Sequence, residues 1–76
     1  MNMQIMMFGK LSEITGNSIS INDVSDTESM EKILHAQFPA LADSKYVIAV
    51  NRKIIKENTI LSGNSVVALL PPFSGG

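Results

Sequence analysis

Val66-Val67-Ala68-Leu69-Leu70-Pro71-Pro72-Phe73-Ser74-Gly75-Gly76 closes the sequence, and the rest of the chain is read outward from it. Val67 and Leu69 fall in one strand phase, and Val66, Ala68 and Leu70 in the other, so a strand here carries apolar side chains on both faces of its sheet. Pro71 and Pro72 then fix φ and favour polyproline II, which carries the backbone away from the domain. Gly75 and Gly76 have no Cβ, so they form a thin tip able to enter a narrow channel and to approach a reacting centre with almost any φ/ψ. The free carboxylate of Gly76 is the candidate working group.

Upstream, the segment Met3 to Lys10 repeats the double pattern, with Ile5 and Met7 in one phase and Met6 and Phe8 in the other. Ser18 to Asn22 alternates cleanly, and the turn signal Thr15-Gly16-Asn17-Ser18 lies between the two, which predicts a β-hairpin. From Thr27 the period changes. Met30, Ile33, Leu34, Phe38 and Leu41 follow one helical face, although Leu41 lies past the helix end that Pro39 sets at about Phe38. Ser25 with Glu28 offers a capping box, Thr27 offers another cap, and Asp23 and Asp26 read as turn and capping residues. Tyr46 to Val50 is a third strand, Asn51-Arg52-Lys53 turns the chain toward Ile54 and Ile55, and the loop Leu61 to Ser65 precedes the last strand, Val66 to Leu70.

One helix covers only one side of such a sheet. If it packs on Ile5, Met7, Val67 and Leu69, then Met6, Phe8, Ala68 and Leu70 are left on an open face, and a contiguous apolar patch of that kind implies a protein partner.

Composition narrows the chemistry. The 76 residues make one domain with a small core, and the net charge of −1 argues against nucleic acid, whose phosphates require a basic stripe. Lys10, Lys32, Lys45, Arg52, Lys53 and Lys56 are scattered apart from the Arg52-Lys53 pair. No run approaches the ~20 apolar residues of a membrane span, and Met1 to Gly9 does not read as a signal peptide, so a cytoplasmic protein without membrane contact is the expectation. The absence of cysteine removes disulfides, thiol nucleophiles, persulfides and thiolate-bound zinc. His35 is the single histidine, expected at the surface, and it has no carboxylate cluster to make a metal site or a nucleophile and base pair. The chain is not expected to be an enzyme alone, nor to bind a cofactor itself.

The order of hairpin, helix, strand, short strand, loop and final strand resembles the α+β β-grasp, or ubiquitin-like, fold: a mixed sheet of about four to five strands on one main helix. Within it the sequence is most similar to the small subunits of molybdopterin synthase, a family of sulfur-carrier proteins. The residues that carry this likeness are Phe8-Gly9, Gly16, Ala49-Val50-Asn51, Leu61 and Gly63, and above all the run from Val66 to Gly76. The resemblance implies a β-grasp domain over residues 1–70 and an extended tail over 71–76. It implies further that a ubiquitin-activating-type adenylyltransferase uses ATP to adenylate Gly76, and that a sulfur donor protein then displaces AMP to leave a thiocarboxylate. The large subunit of molybdopterin synthase would receive the tail and pass its sulfur to cyclic pyranopterin monophosphate, two deliveries building the dithiolene of molybdopterin. By the same likeness, two copies of this chain sit at opposite ends of a dimer of large subunits.

On this reading Gly76 carries the chemistry and Gly75 permits its entry. Phe73 anchors the tail in a partner groove. Phe8 and Leu70 match partner-facing positions, and Pro71, Pro72 and Ser74 complete the contacting tail. Fully extended, the six residues from Pro71 to Gly76 reach ~20 Å. Two departures stand out: Asn64 replaces an Asp common in the family, and Leu11 and Ser12 stand near a position that is often basic. Two alternatives use the same terminus, a ubiquitin-like modifier joined to lysines through Gly76 and a thiamine-pathway sulfur carrier with a different acceptor. A plain interaction domain would make no use of Gly76.

Overall fold

The computed structural model describes residues 2–72. Among them eight elements follow in order: β1 Asn2–Met7, α1 Leu11–Thr15, β2 Ser18–Asn22, α2 Thr27–Gln37, α3 Pro39–Ala42, β3 Val47–Val50, β4 Lys53–Ile55 and β5 Val67–Leu70. The strands form one mixed sheet in the order β2-β1-β5-β3-β4. β1 and β2 pair antiparallel, as do β3 with β4 and β3 with β5, whereas β1 and β5 run parallel at the centre. This is the β-grasp arrangement that the resemblance implies.

Strand alternation sorts the side chains. Met3, Ile5 and Met7 of β1, Ile21 of β2, Ile48 and Val50 of β3, and Val67 and Leu69 of β5 are buried against Met30 and Leu34 of α2. Leu11, Leu41 and Leu61 close the edges of this single core. Leu41 reaches it because the chain turns at Pro39 and restarts as α3. There proline sits in the first turn, where its missing N–H leaves no intrahelical bond unmade.

Of the caps that the sequence offers, the helix start uses Asp26. Neither Ser25 with Glu28 nor Thr27 caps α2; Asp26, in an extended conformation, accepts from the Ser29 N–H at 2.9 Å. Thr27 is instead the first helical residue, and its hydroxyl is taken up by the loop before β5, accepting from the Thr59 N–H at 3.0 Å and donating to Asn58 Oδ1 at 3.2 Å. Asn58 Oδ1 also accepts from the Glu28 N–H, and the Thr59 carbonyl from the Thr27 N–H, both at 2.9 Å. Two of the N–H groups that a helix start leaves without intrahelical partners, those of Thr27 and Glu28, are therefore met by a loop some thirty residues further on. Ser25 serves that loop too, its carbonyl accepting from the Leu61 N–H at 2.8 Å.

A difference from the sequence reading lies between β1 and β2. The first strand ends at Met7 rather than Lys10, and α1 occupies half of the connection. Gly9 breaks the strand at φ +59, and Lys10 then enters the helical region at φ −65. The predicted turn is in place: Gly16, at φ +91, ends α1 with its N–H on the Ser12 carbonyl at 2.8 Å. The strands predicted from Tyr46 and from Val66 each begin one residue later, at Val47 and Val67.

Candidate functional site

The open face of the sheet is a set of cross-strand rows. Met6 of β1 lies opposite Ala68 of β5, Ala68 opposite Ala49 of β3, and Ala49 opposite Ile54 of β4. Beside this row, Leu70 pairs with Val47, both half-buried. Met6 is 42% exposed and Ile54 51%, values high for large apolar side chains and set in one row by the register, while Phe8, 45% exposed, and Val66, 58%, lie just beyond the ends of β1 and β5 in the same alternation. The fold thus leaves Met6, Phe8, Ala68 and Leu70 on the face away from α2. It adds Ile54 and Val66, which sequence reasoning did not place there. Ile54 could have been found: Asn51 and Arg52 form a two-residue hairpin, at φ +52 and φ +71, which pairs Val50 with Lys53 and so sets Ile54 against Ala49.

Asn51 has a second duty. Its N–H donates to the Val66 carbonyl at 2.7 Å, and its side-chain oxygen accepts from the Val66 N–H at 2.9 Å. These bonds tie the β3–β4 turn to the residue before β5 and hold Val66 at the rim of the open face.

At the far end of β5 the chain reaches Pro71 and Pro72, both exposed. The Phe8 N–H donates to the Leu69 carbonyl at 3.1 Å, extending the parallel ladder and bringing the end of β1 beside the root of the tail. Pro71 and Pro72 also wall a cleft of about 240 Å³ whose other lining includes Leu11 and Ile14 of α1, together with Lys10 and Lys45. Phe73, Ser74, Gly75 and Gly76 lie outside the described residues.

The remaining polar cluster stands apart from this face. Tyr46 donates to Glu31 Oε1 at 2.7 Å, so the His35 Nε2 contact to the same hydroxyl, also 2.7 Å, requires His35 to be the donor. Burial, and then the Glu31 hydrogen bond and charge, push the Tyr46 hydroxyl well above its ordinary value. His35 is therefore half-buried and bonded rather than free at the surface, and the cluster fastens α2 to the entry of β3. Among the described residues no three His, Cys, Asp or Glu side chains could hold a metal ion, and no helix is long and apolar enough to cross a membrane.

Two comparisons bear on this geometry. The sequence matches the ThiS family over residues 5–76. In structure it is similar to a chain of the protein–protein complex of subunits 1 and 2 of molybdopterin-converting factor from Helicobacter pylori 26695. The TM-score is 0.74 and the identity 29%, with the whole of both chains covered.

Proposed function

The chain belongs to the ThiS family of ubiquitin-like sulfur carriers, and from that premise we propose that it is the sulfur-donating small subunit of a molybdopterin synthase, with Gly76 as the carrying residue. The observation that carries this reading is the full-length similarity to a chain of the two-subunit molybdopterin-converting factor complex, together with an open apolar face beside the tail root. A partner that seats on Met6, Phe8, Ile54 and Val66 would hold the globule while residues 71–76 enter its active site.

The chemistry follows from the terminus. A carboxylate is a poor electrophile, because its charge is delocalised and neither oxygen leaves readily. Attack of one carboxylate oxygen on the α-phosphate of ATP releases pyrophosphate and forms an acyl-adenylate on Gly76. A sulfide equivalent from a donor protein then displaces AMP and leaves the thiocarboxylate. Because the chain has no cysteine, the terminus is the position at which it can hold reactive sulfur covalently. In the large subunit that sulfur forms a bond to cyclic pyranopterin monophosphate, and water then attacks the Gly76 carbonyl carbon, breaking its bond to sulfur, leaving the thiolate on the pterin and regenerating the carboxylate for another cycle. ATP belongs to the activating enzyme, and this chain contributes no cofactor.

The test is intact mass spectrometry, native and then denaturing, of the chain purified from its own host through an N-terminal tag that leaves Gly76 free. A mass raised by the difference between sulfur and oxygen, with a larger subunit retained, is the expected result. An unmodified chain found linked to lysines of many proteins would instead establish a protein modifier. A thiocarboxylate that passes its sulfur to a thiazole precursor and not to the pyranopterin would assign it to the thiamine pathway.

A further inference from the structure

We propose that Gly9 is a positioning residue for the tail, the notch against which Pro71 seats, and that it thereby sets the direction in which the chain leaves the sheet. The inference rests on the sulfur-carrier reading, since the aim of the tail matters only if the tail does the chemistry.

The two glycines of the β1–β2 connection separate the effects involved. Both have a positive φ that L side chains rarely adopt, +59 at Gly9 and +91 at Gly16. A Cβ built on Gly16 would have no heavy atom within 4 Å, so backbone conformation alone explains that glycine. A Cβ built on Gly9 would lie 2.6 Å from Cγ of Pro71 and 3.3 Å from Cδ. The first separation is closer than two carbons can pack, and the obstructing atom belongs to a ring fused to the backbone, which cannot rotate away.

Gly9 cannot easily retreat either. Its carbonyl accepts from both the Ser12 N–H at 3.2 Å and the Ser12 hydroxyl at 2.8 Å, which bind it to the first turn of α1. The preceding residue is fixed by the Phe8 to Leu69 hydrogen bond. Any side chain at position 9 therefore displaces Pro71, the first residue after β5, and leaves the rows of the open face as they are. Docking through that face and delivery of the terminus are separable on this account.

The experiment measures adenylation of the chain by its activating enzyme, as ATP–pyrophosphate exchange, for wild type, Gly9→Asn, Pro71→Ala, the double variant, and Gly16→Asn as control. Asn tolerates left-handed φ better than other L residues, and at Gly16, whose φ of +91 and ψ of −179 suit glycine alone, it brings backbone strain with no steric contact, so the control separates strain from displacement of Pro71. Gly9→Asn is expected to lower kcat about tenfold, because a small misplacement of a reacting group is costly, while KM stays within about twofold. Pro71→Ala in the same chain removes the obstructing Cγ and recovers most of the loss, a non-additive coupling between residues in contact. Gly16→Asn keeps the wild-type rate.

Full activity in Gly9→Asn, or a loss that Pro71→Ala does not relieve, overturns the positioning role. If wild type itself is not adenylated, the sulfur-carrier reading fails first and the role of Gly9 falls with it. Should Gly9→Asn not fold, Gly9→Ala, which adds only the Cβ, probes the same contact: kcat is expected to fall with KM unchanged, and an unchanged kcat refutes the inference.

Discussion

Phe8→Ala separates a docking residue from a packing residue, because the side chain is divided almost evenly between the two roles. A phenylalanine contributes ~200 Å² of surface, so the 45% that is exposed amounts to ~90 Å² available to a partner, and ~110 Å² is already covered within the domain. At ~25 cal/mol/Å² the exposed share is worth ~2 kcal/mol on binding, which is a ~30-fold rise in Kd. The covered share sets an upper bound of ~3 kcal/mol on the loss of folding stability, since the unfolded chain already hides part of its surface. Both quantities can be read from one preparation, stability by urea denaturation and affinity by calorimetry against the large subunit. The expected outcome is a loss in each. A stability loss near the bound with unchanged affinity would refute the docking role, leaving Phe8 as ordinary sheet packing and requiring the partner to sit elsewhere.

Three further outcomes follow from named contacts. Hydrogen bonds from Ser29 and then Asn58, with a smaller contribution from the charge of Lys32, hold the Asp26 carboxyl below its ordinary 3.8. The stability it contributes is therefore present above pH 3.8 and is lost as pH falls through the lowered folded value, so the melting-temperature gap between wild type and Asp26→Ala at pH 7 should close on acidification. Tyr46 is shifted the other way, so its contribution is full below its ordinary 10.0 and is lost at higher pH, and Tyr46→Phe should be less stable than wild type at pH 7 but decline less steeply in alkaline melts. Arg52 sits at φ +71 in the second position of a two-residue hairpin, and Arg52→Gly removes a left-handed penalty of ~1–2 kcal/mol at an entropic cost of ~0.5–1, so a small rise in melting temperature is expected.

The sheet was legible because its strands announce themselves: Ile5 with Met7, and Val67 with Leu69, are buried as their phases require, and the period shift at Thr27 marks α2. Boundaries depended on contacts that a sequence does not display. Asp26 caps α2 because its backbone is extended there and because Asn58 and Thr59 return from a distant loop to meet the neighbouring N–H groups and the Thr27 hydroxyl. The five-residue α1 is too short to establish a period, and its Leu11 could as well have continued a strand. On the open face, Met6 and Phe8 followed from alternation, whereas Ile54 required the register of a hairpin. Gly9 was noticed only as part of Phe8-Gly9. The reason for it is a contact with Pro71, at the opposite end of the sequence.

That contact follows from the parallel pairing of β1 and β5. Parallel neighbours finish at the same end of a sheet, so Phe8-Gly9, leaving β1, and Pro71-Pro72, leaving β5, emerge side by side. Antiparallel pairing of the same strands would have put the tail root beside Asn2, with no notch against it and Phe8 at the far end of the face. The topology therefore puts the proposed docking face and the residues that follow β5 at one corner of the molecule: Met6 and Phe8 lead along β1 to the point at which Pro71 leaves the sheet. Because helices cover the opposite side of the sheet, a partner seated on the open face would meet Pro71 where the chain leaves the sheet, and Gly9 in its proposed role would act there on the direction of the chain while contributing no side chain to that face.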